Sequence, residues 1–415
     1  MPAWGPGASK NVSACGHAEP RMGESEARHQ RQAAPGVGPR RQSEKVNAMR
    51  STLFMLGAAA CAAALTAGSS AQQNRDGGDI EMLPVHGSIY MIAGGGGNIA
   101  ASVGKDGVLL VDSGAAPMTD KVLAAIRQLQ KELAQREPPP ELHFGAETRG
   151  TLQASLNYMA PPKPIRYIIN TSADPDHVGG NEKLVKAGKT FTGGNVAGDI
   201  ADAGQGAAVI AYEKVLTRMS APTGKQSPTP TGAWPTDTFF QESMKVSHFF
   251  NGDGVQIIHI PSAHTDGDSI VYFRRSDVIA TGDIFDMTRY PVIDVDKGGS
   301  IKGVVDGLNR VLDLVIPEFR MEGGTMIVPG HGRICDGGDL AYYRDMVTII
   351  RDRIADMVKT GMTLEQVKAA KPTADYDPRW STNAYTADMF IEAAYKSLVP
   401  KEPAPAKAAD PAKKN

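Results

Sequence analysis

Four short polar stretches carry residues able to hold a metal ion or move a proton: TSADPDHVGG at 171–180, SAHTDGD at 262–268, TGDIF at 281–285 and PGHG at 329–332. Carboxylates and imidazoles are the side chains of nitrogen- and oxygen-liganded metal sites and of general acid–base chemistry. The first stretch crowds Asp174, Asp176 and His177 together where a plain connection would be served by Gly, Asn or Ser. Each stretch follows an apolar, β-like run. In a layered α/β protein such loops gather along one edge of the sheets, where ligands bind, so Asp176, His177, His264, Asp283 and His331 could converge. A single Asp-Gly or His-Gly in a turn usually reflects turn chemistry; it is the joint occurrence that favours a site.

The elements that must position these loops are visible as period and punctuation. The runs at 87–94, 98–104 and 107–114 follow one another through Gly-rich turns, as antiparallel strands do. A charged segment with helical period runs from Thr119 to about Gln135. Residues 136–163, with EPPPEL and APPKP, read as an insertion at the rim of a site. Strand IRYIIN at 165–170 precedes the first polar loop, followed by a helix over NEKLVKAG, a short strand, a helix across 203–217 and a Pro-rich loop. Strands return at 255–262 and 269–283, then a helix near 300–315, strand TMIVPG at 325–330, and helices over most of 338–398. The AGGGGN run at 93–98 lacks the Lys-Ser/Thr ending of a phosphate loop and reads as a hairpin turn.

Composition narrows the chemistry. In 415 residues, 44 Lys and Arg against 46 Asp and Glu leave a net charge of -2, without the basic footprint of a nucleic-acid binder; a soluble protein with a small-molecule substrate is expected. From Met49 the chain runs MRSTLFMLGAAACAAALTAGSSAQQ, with the layout of a secretory signal peptide: a positive residue, a short apolar stretch, then small residues. The expectation is a signal over 49–71 cleaved after Ala71, a periplasmic or secreted product, and no stable membrane insertion afterwards. A lipidated Cys61 is the alternative, disfavoured by Ala58 three residues before it. Residues 1–48, rich in Arg, Gly and Pro, are read as a disordered or misassigned upstream extension, and 400–415 as a disordered tail. Removing the signal leaves Cys335 alone, so the core must hold without disulfides; it is read as a free or buried thiol.

The order of the polar motifs resembles the metallo-β-lactamase-fold superfamily, whose hydrolases carry T-H-x-H-x-D-H-x-G-G, then a histidine in H-T-x-G, an aspartate in G-D and a histidine in P-G-H. The likeness spans about residues 83 to 335. It implies an α/β fold, an αββα sandwich of two mixed β-sheets flanked by helices, with a domain over 79–335 and C-terminal helices over 336–399 packed on it. It also makes Asp112, in VDSG, a support behind the metal. Asp176, His177 and His331 then match the family's second metal site and Asp283 the shared ligand. This chain departs from the pattern at the first site, where Ser172 and Asp174 stand for two histidines, leaving His264, Asp283 and whatever Asp174 contributes. The expectation is one tightly held Zn(II), with Fe(II) or Mn(II) as alternatives; a mixed two-metal site using Asp174, and a site without metal, remain open. Asp174 and Asp176 are the candidate catalytic carboxylates, Asp174 as general base with a salt bridge as its plainer role. Ser172 is read as a loop hydrogen-bonder, Asp268 as an orienting group, Asp266 as surface, and His259 as packing or support; His86, His143 and His248 fit no motif.

That reading implies an exported hydrolase in which a cation-activated water attacks a small ester, lactone, thioester or amide, β-lactams included. The rival is a metal- or ligand-binding protein that kept the scaffold and lost catalysis. An iron dioxygenase is disfavoured because that chemistry relies on the altered site, and a nuclease because no basic surface is present. Expressed with its own leader in a Gram-negative host, the protein is expected in the periplasm with an N-terminus near Gln72; an intact mass that retains residues 1–48 would overturn the export assignment.

Overall fold

The structure, a computed structural model, describes residues 79–135, 162–190, 206–220, 229–246, 249–316 and 323–399. The signal-like segment with the residues before it, most of the Pro-rich insertion, His143, His248 and the C-terminal tail lie outside them.

Two mixed β-sheets form the centre. The first has strand order β1 (Glu81–Pro84), β2 (Ile89–Ala93), β3 (Ile99–Gly104), β4 (Gly107–Val111), β5 (Ile165–Asn170), β6 (Ala208–Tyr212) and β7 (Asp237–Phe239). Strands β1 to β4 pair antiparallel, and β4 to β7 pair parallel. The second sheet runs β12 (Met326–Val328), β11 (Val278–Ala280), β10 (Ser269–Phe273), β9 (Val255–His259), β8 (Ser243–Lys245), antiparallel except for the β11–β12 pair.

The continuous apolar runs are explained by burial on both faces. In β4, Leu109 and Val111 face the second sheet and pack with Ile257, Val271, Phe273 and Val328. Val108 and Leu110 face outward onto Val122, Ile126 and Leu129 of helix α1 (Thr119–Gln135). The second sheet repeats the logic: Ile258, Ile270, Ile279 and Ile327 are covered by helical residues such as Val304, Leu308, Tyr343, Val347 and Phe390. Each such side chain, fully buried, contributes about 1.5–3 kcal/mol, and the alternation within single strands gives the helix–sheet–sheet–helix layering.

Most of the expected elements lie within a few residues of their sequence positions. The stretch across 203–217 differs: Ala208–Tyr212 is a strand, and its helix is Glu213–Ser220. AVIAY is a buried run with hydrogen-bond partners on both sides, β5 and β7, and two ladders outweigh its weak helical pattern. The 269–283 segment is two strands around a turn, with Asp277 at positive φ.

The direction of the strands gathers the polar loops. Within the first sheet β4 and β5 run parallel, delivering Asp112 and the 171–178 loop to the same end. In the second sheet β11 and β12 run parallel, and β9 shares their direction because both β9 and β11 pair antiparallel to β10. Their loops carry His264, Asp283 and His331.

A helix over Ile301–Leu312 seals the His264 loop from behind. Its N-cap Ser300 accepts a hydrogen bond from the Gly303 N–H, and the Ser300 hydroxyl donates to the Ser262 carbonyl at 3.0 Å. A Cβ at Gly303 would fall inside the Ser262 carbonyl. Gly303→Ala is therefore expected to destabilise by about 1–3 kcal/mol through overpacking, read as a lower urea midpoint with an unchanged slope; an unchanged midpoint would show that the helix and loop can part freely.

Candidate metal centre

The site is built outward from Asp112, which directly follows β4 at φ 67 and is buried. Its Oδ1 accepts the Thr171 backbone N–H at 2.8 Å, while Oδ2 accepts the Thr171 hydroxyl at 2.7 Å and faces His177 Nδ1 at 2.7 Å. Committing Nδ1–H to a carboxylate fixes the tautomer and aims Nε2 forward, the arrangement that serves a metal-ligating histidine. Ser113 holds the same residue from its backbone, its N–H and hydroxyl donating to the His177 carbonyl at 2.8 and 3.0 Å.

His177 and Asp176 belong to a single helical turn, Pro175–Val178, with Asp174 at the N-cap and Pro at its first position. An N-cap aspartate normally accepts a backbone N–H of its own helix. Asp174 makes no such bond; its Oδ2 lies 2.6 Å from His264 Nε2 and its Oδ1 3.6 Å from Lys297 Nζ. Ser172 stays within the turn, where its hydroxyl accepts the Asp174 N–H at 3.3 Å.

Asp283 joins the two sheets' contributions. Its Oδ1 is 3.2 Å from His177 Nε2 and 3.4 Å from His331 Nε2, and its Oδ2 is 3.9 Å from His264 Nε2. Asp176 Oδ2 completes the first group, 3.2 Å from His331 Nε2. Close packing makes this possible: Gly282 has φ 52 with Thr171 directly against it, and a Cβ on Gly330 would sit 2.8 Å from Asp283 Oδ1. Asn98 stitches the first sheet to the His331 loop, donating from Nδ2 to the carbonyls of Pro329 at 3.0 Å and Gly332 at 2.9 Å.

Two ligand-type clusters result, Asp176–His177–His331 and Asp174–His264–Asp283. They differ in one respect. His177 Nε2, His331 Nε2 and Asp283 Oδ1 are buried without a well-formed hydrogen bond, although Asp283 Oδ1 lies 3.2 Å from His177 Nε2 and 3.4 Å from His331 Nε2. Leaving such atoms unsatisfied costs about 1–3 kcal/mol each. Three converging orphaned ligand atoms beside Asp176 are the donor set a divalent cation fits, and an all-nitrogen-and-oxygen set suits zinc, iron(II) or manganese(II). In the second cluster, by contrast, His264 and Asp174 already satisfy each other.

Electrostatics point the same way. Burial pushes the His264 pKa down, but the Asp174 hydrogen bond and the charges of Asp268 and Asp283 outweigh it and raise it to about 10. Burial likewise opposes charge on His331, yet Asp176 and Asp283 lift it to about 9, and His177 is raised well above its usual value despite complete burial, by Asp283 and Asp112. Burial would raise the Asp283 pKa, but the three imidazoles hold it well below the ordinary carboxylate range. So many carboxylates around few bases demand positive charge at the centre, from protons or from a metal ion.

Other residues singled out in the sequence lie around this centre. Asp268 does not reach the clusters; it accepts the Thr265 N–H and hydroxyl, both at 2.7 Å, and so shapes the loop carrying His264. Burial pushes its pKa up to about 6. Asp266 pairs with Lys214 and Arg218. His259 stacks on Tyr212, ring centroids 3.6 Å apart, with Nδ1 2.9 Å from the Asp268 carbonyl. His86 Nδ1 is 3.2 Å from the Ser276 carbonyl. Cys335 is free and buried, its thiol pushed up to about 12 mainly by burial, and it belongs to neither cluster. Sequence reasoning missed Thr171, Asn98, Arg289 and Lys297. Arg289 pairs with Asp286, the bridge partner of His331, and feels the charges of Asp283 and Asp176.

A linear primary-alkylsulfatase from Pseudomonas sp. (strain ATCC 19151) is 24% identical over 246 residues, covering 52% of this chain and 45% of the relative, so the match spans less than half of that protein's length. Among solved structures, a metallo-beta-lactamase from Pontibacter korlensis aligns over 65% of this chain and 99% of its own at 15% identity and a TM-score of 0.42. The stereoselective inverting sec-alkylsulfatase Pisa1 from Pseudomonas sp. aligns over 77% of this chain and 50% of its own at 15% identity and a TM-score of 0.47. The model of the metallo-beta-lactamase superfamily matches residues 159–331, the stretch that holds Asp174, Asp176, His177, His264, Asp283 and His331. Over those residues, set in two mixed sheets flanked by helices, this chain is similar to the metallo-beta-lactamase superfamily.

Proposed function

We propose that the chain is an exported hydrolase that uses one tightly held divalent cation, zinc first among the alternatives, to cleave a small ester-type substrate. The observation that carries this reading is the trio of orphaned buried ligand atoms, His177 Nε2, His331 Nε2 and Asp283 Oδ1. With Asp176 they would hold the ion, while Asp112 keeps the His177 ring in register. A bound cation of this class supplies Lewis acidity and lowers the pKa of water in contact with it towards ~7.

The chain's own groups would do the rest. Asp174 faces the centre from the other half-site and would accept the proton released when water attacks, with His264 fixing its orientation. Burial alone would raise the Asp174 pKa, but His264 and Lys297 hold it low, so it is a weak base and its share of the rate falls at the low end of general-base effects. The substrate panel is carboxylic esters, lactones, thioesters, amides and β-lactams, joined by sulfate monoesters on the strength of the alkylsulfatase relative. No helix among the described residues is long and apolar enough to cross a membrane, and a soluble exported form is part of the proposal. The mutual satisfaction of Asp174 and His264 favours the second reading, a binding protein without turnover.

Metal content and turnover measured on the same preparations separate these readings. His177→Ala, His331→Ala and Asp176→Ala are each expected to lose metal and activity together. Asp174→Asn is expected to keep the metal and lower kcat by about 10²-fold, near the lower bound for a positioned acid or base. Parallel loss of metal in Asp174→Asn would make it a ligand, and an intact protein that binds metal yet turns over nothing in the panel would leave the binding-protein reading standing.

A further inference from the structure

We propose that Lys297 is the second cation of this site: its ammonium, paired with Asp174, occupies the electrostatic role of a second metal and keeps the Asp174–His264–Asp283 half-site free of metal. The inference rests on the one-metal reading above and extends it to a residue that no sequence motif contains.

Both oxygens of Asp174 are engaged by cationic or hydrogen-bonding partners from the second sheet's loops. Oδ2 meets His264 Nε2 at 2.6 Å, and Oδ1 faces Lys297 Nζ at 3.6 Å. In the other half-site the carboxylates stand farther from the imidazoles, Asp176 Oδ2 3.2 Å and Asp283 Oδ1 3.4 Å from His331 Nε2, and neither Nε2 is closed off by a short contact like that of His264. A metal entering beside Asp174 would have to displace the His264 contact and also sit next to a fixed positive charge, whereas an ion among Asp176, His177 and His331 meets neither obstacle.

Lys297 is held in place rather than merely nearby. Its carbonyl accepts the Asp266 N–H at 3.0 Å and the Arg218 guanidinium at 2.8 Å, and Arg218 is itself paired with the Asp266 carboxylate. Its own N–H donates to the Asp294 carbonyl at 3.1 Å and to Asp294 Oδ1 at 3.0 Å. Asp294 Oδ2 steadies the ammonium at 2.9 Å, and the Asp294 N–H donates to the His264 carbonyl at 2.9 Å. The loop with the ammonium is therefore tied by main-chain bonds to the loop with His264. Asp266 and Arg218, which look like an ordinary surface pair, have a place in this scheme as the clamp behind Lys297. The carboxylate at Asp174 brings an extra negative charge into a half-buried position, and Lys297 brings the matching positive one.

The test counts metal and needs no substrate. The full-length exported protein, dialysed against a modest excess of zinc, is expected to retain one equivalent by elemental analysis. Lys297→Met is expected to move towards two equivalents, with the second zinc bound at least tenfold more tightly than any second zinc in the unmodified protein by calorimetric titration, while Lys297→Arg stays at one. The Lys297 side chain is 44% exposed, so the variants are expected to fold; Lys297→Gln serves as a second neutral variant, and circular dichroism confirms the fold. One equivalent in the unmodified protein and in both neutral variants overturns the role of Lys297 while leaving the one-metal reading intact. Two equivalents in the unmodified protein overturn both, and none removes the metal on which both rest.

Discussion

Everything in the centre is referred to one buried carboxylate. Asp112 leaves β4 in a left-handed conformation that few residues adopt without strain, and what that turn provides is a single side chain able to grip Thr171 twice and His177 once. Thr171 in turn lies directly against Gly282, one residue before Asp283. The position of the shared carboxylate in one sheet is thus set by contacts that begin at the end of a strand in the other. Loss of Asp112 would free the His177 ring and release the Thr171 contact on which Asp283 leans.

The two half-sites are products of the same architecture with opposite outcomes. On one side three ligand atoms converge on one another without a well-formed hydrogen bond, an arrangement that an ion would satisfy. On the other, Asp174, His264, Lys297 and Asp294 close a circuit of opposite charges and hydrogen bonds. By residue type the two groups are equivalent; hydrogen-bond satisfaction tells them apart.

Much of this was legible in the chain itself. The helix Thr119–Gln135 and the strand Ile165–Asn170 have strong periodic or apolar signatures and fall where period and punctuation place them. The order of polar loops after apolar runs was enough to bring Asp176, His177, His264, Asp283 and His331 together, because strand ends in a layered sheet are near one another whatever the details of packing. Strands β1, β7 and β8 were not legible: EMLP, DTF and SMK are short, partly exposed edges whose pairing is decided by neighbours rather than by their own pattern. Lys297 was equally hidden. A lysine in VDKGG has every mark of a solvated turn, and only the folded position of its loop against Asp266 and His264 gives it a partner at the centre. Asn98, at the end of a glycine run read as a simple turn, was missed for the same reason: its partners are carbonyls more than two hundred residues away.

The ligand atoms come from both layers of the sandwich, Asp176 and His177 from loops of the first sheet, Asp283 and His331 from loops of the second. An ion held among them would act as a rivet between two stacked plates whose shared interface is mostly greasy and non-directional, with a few hydrogen bonds such as those of Asn98 at its edge. Sliding of one plate over the other would then have to break ligand bonds before much apolar surface is exposed, so the rate at which the protein comes apart would follow the rate at which the ion leaves. Chelators would act on such a molecule as denaturants that work from a single point.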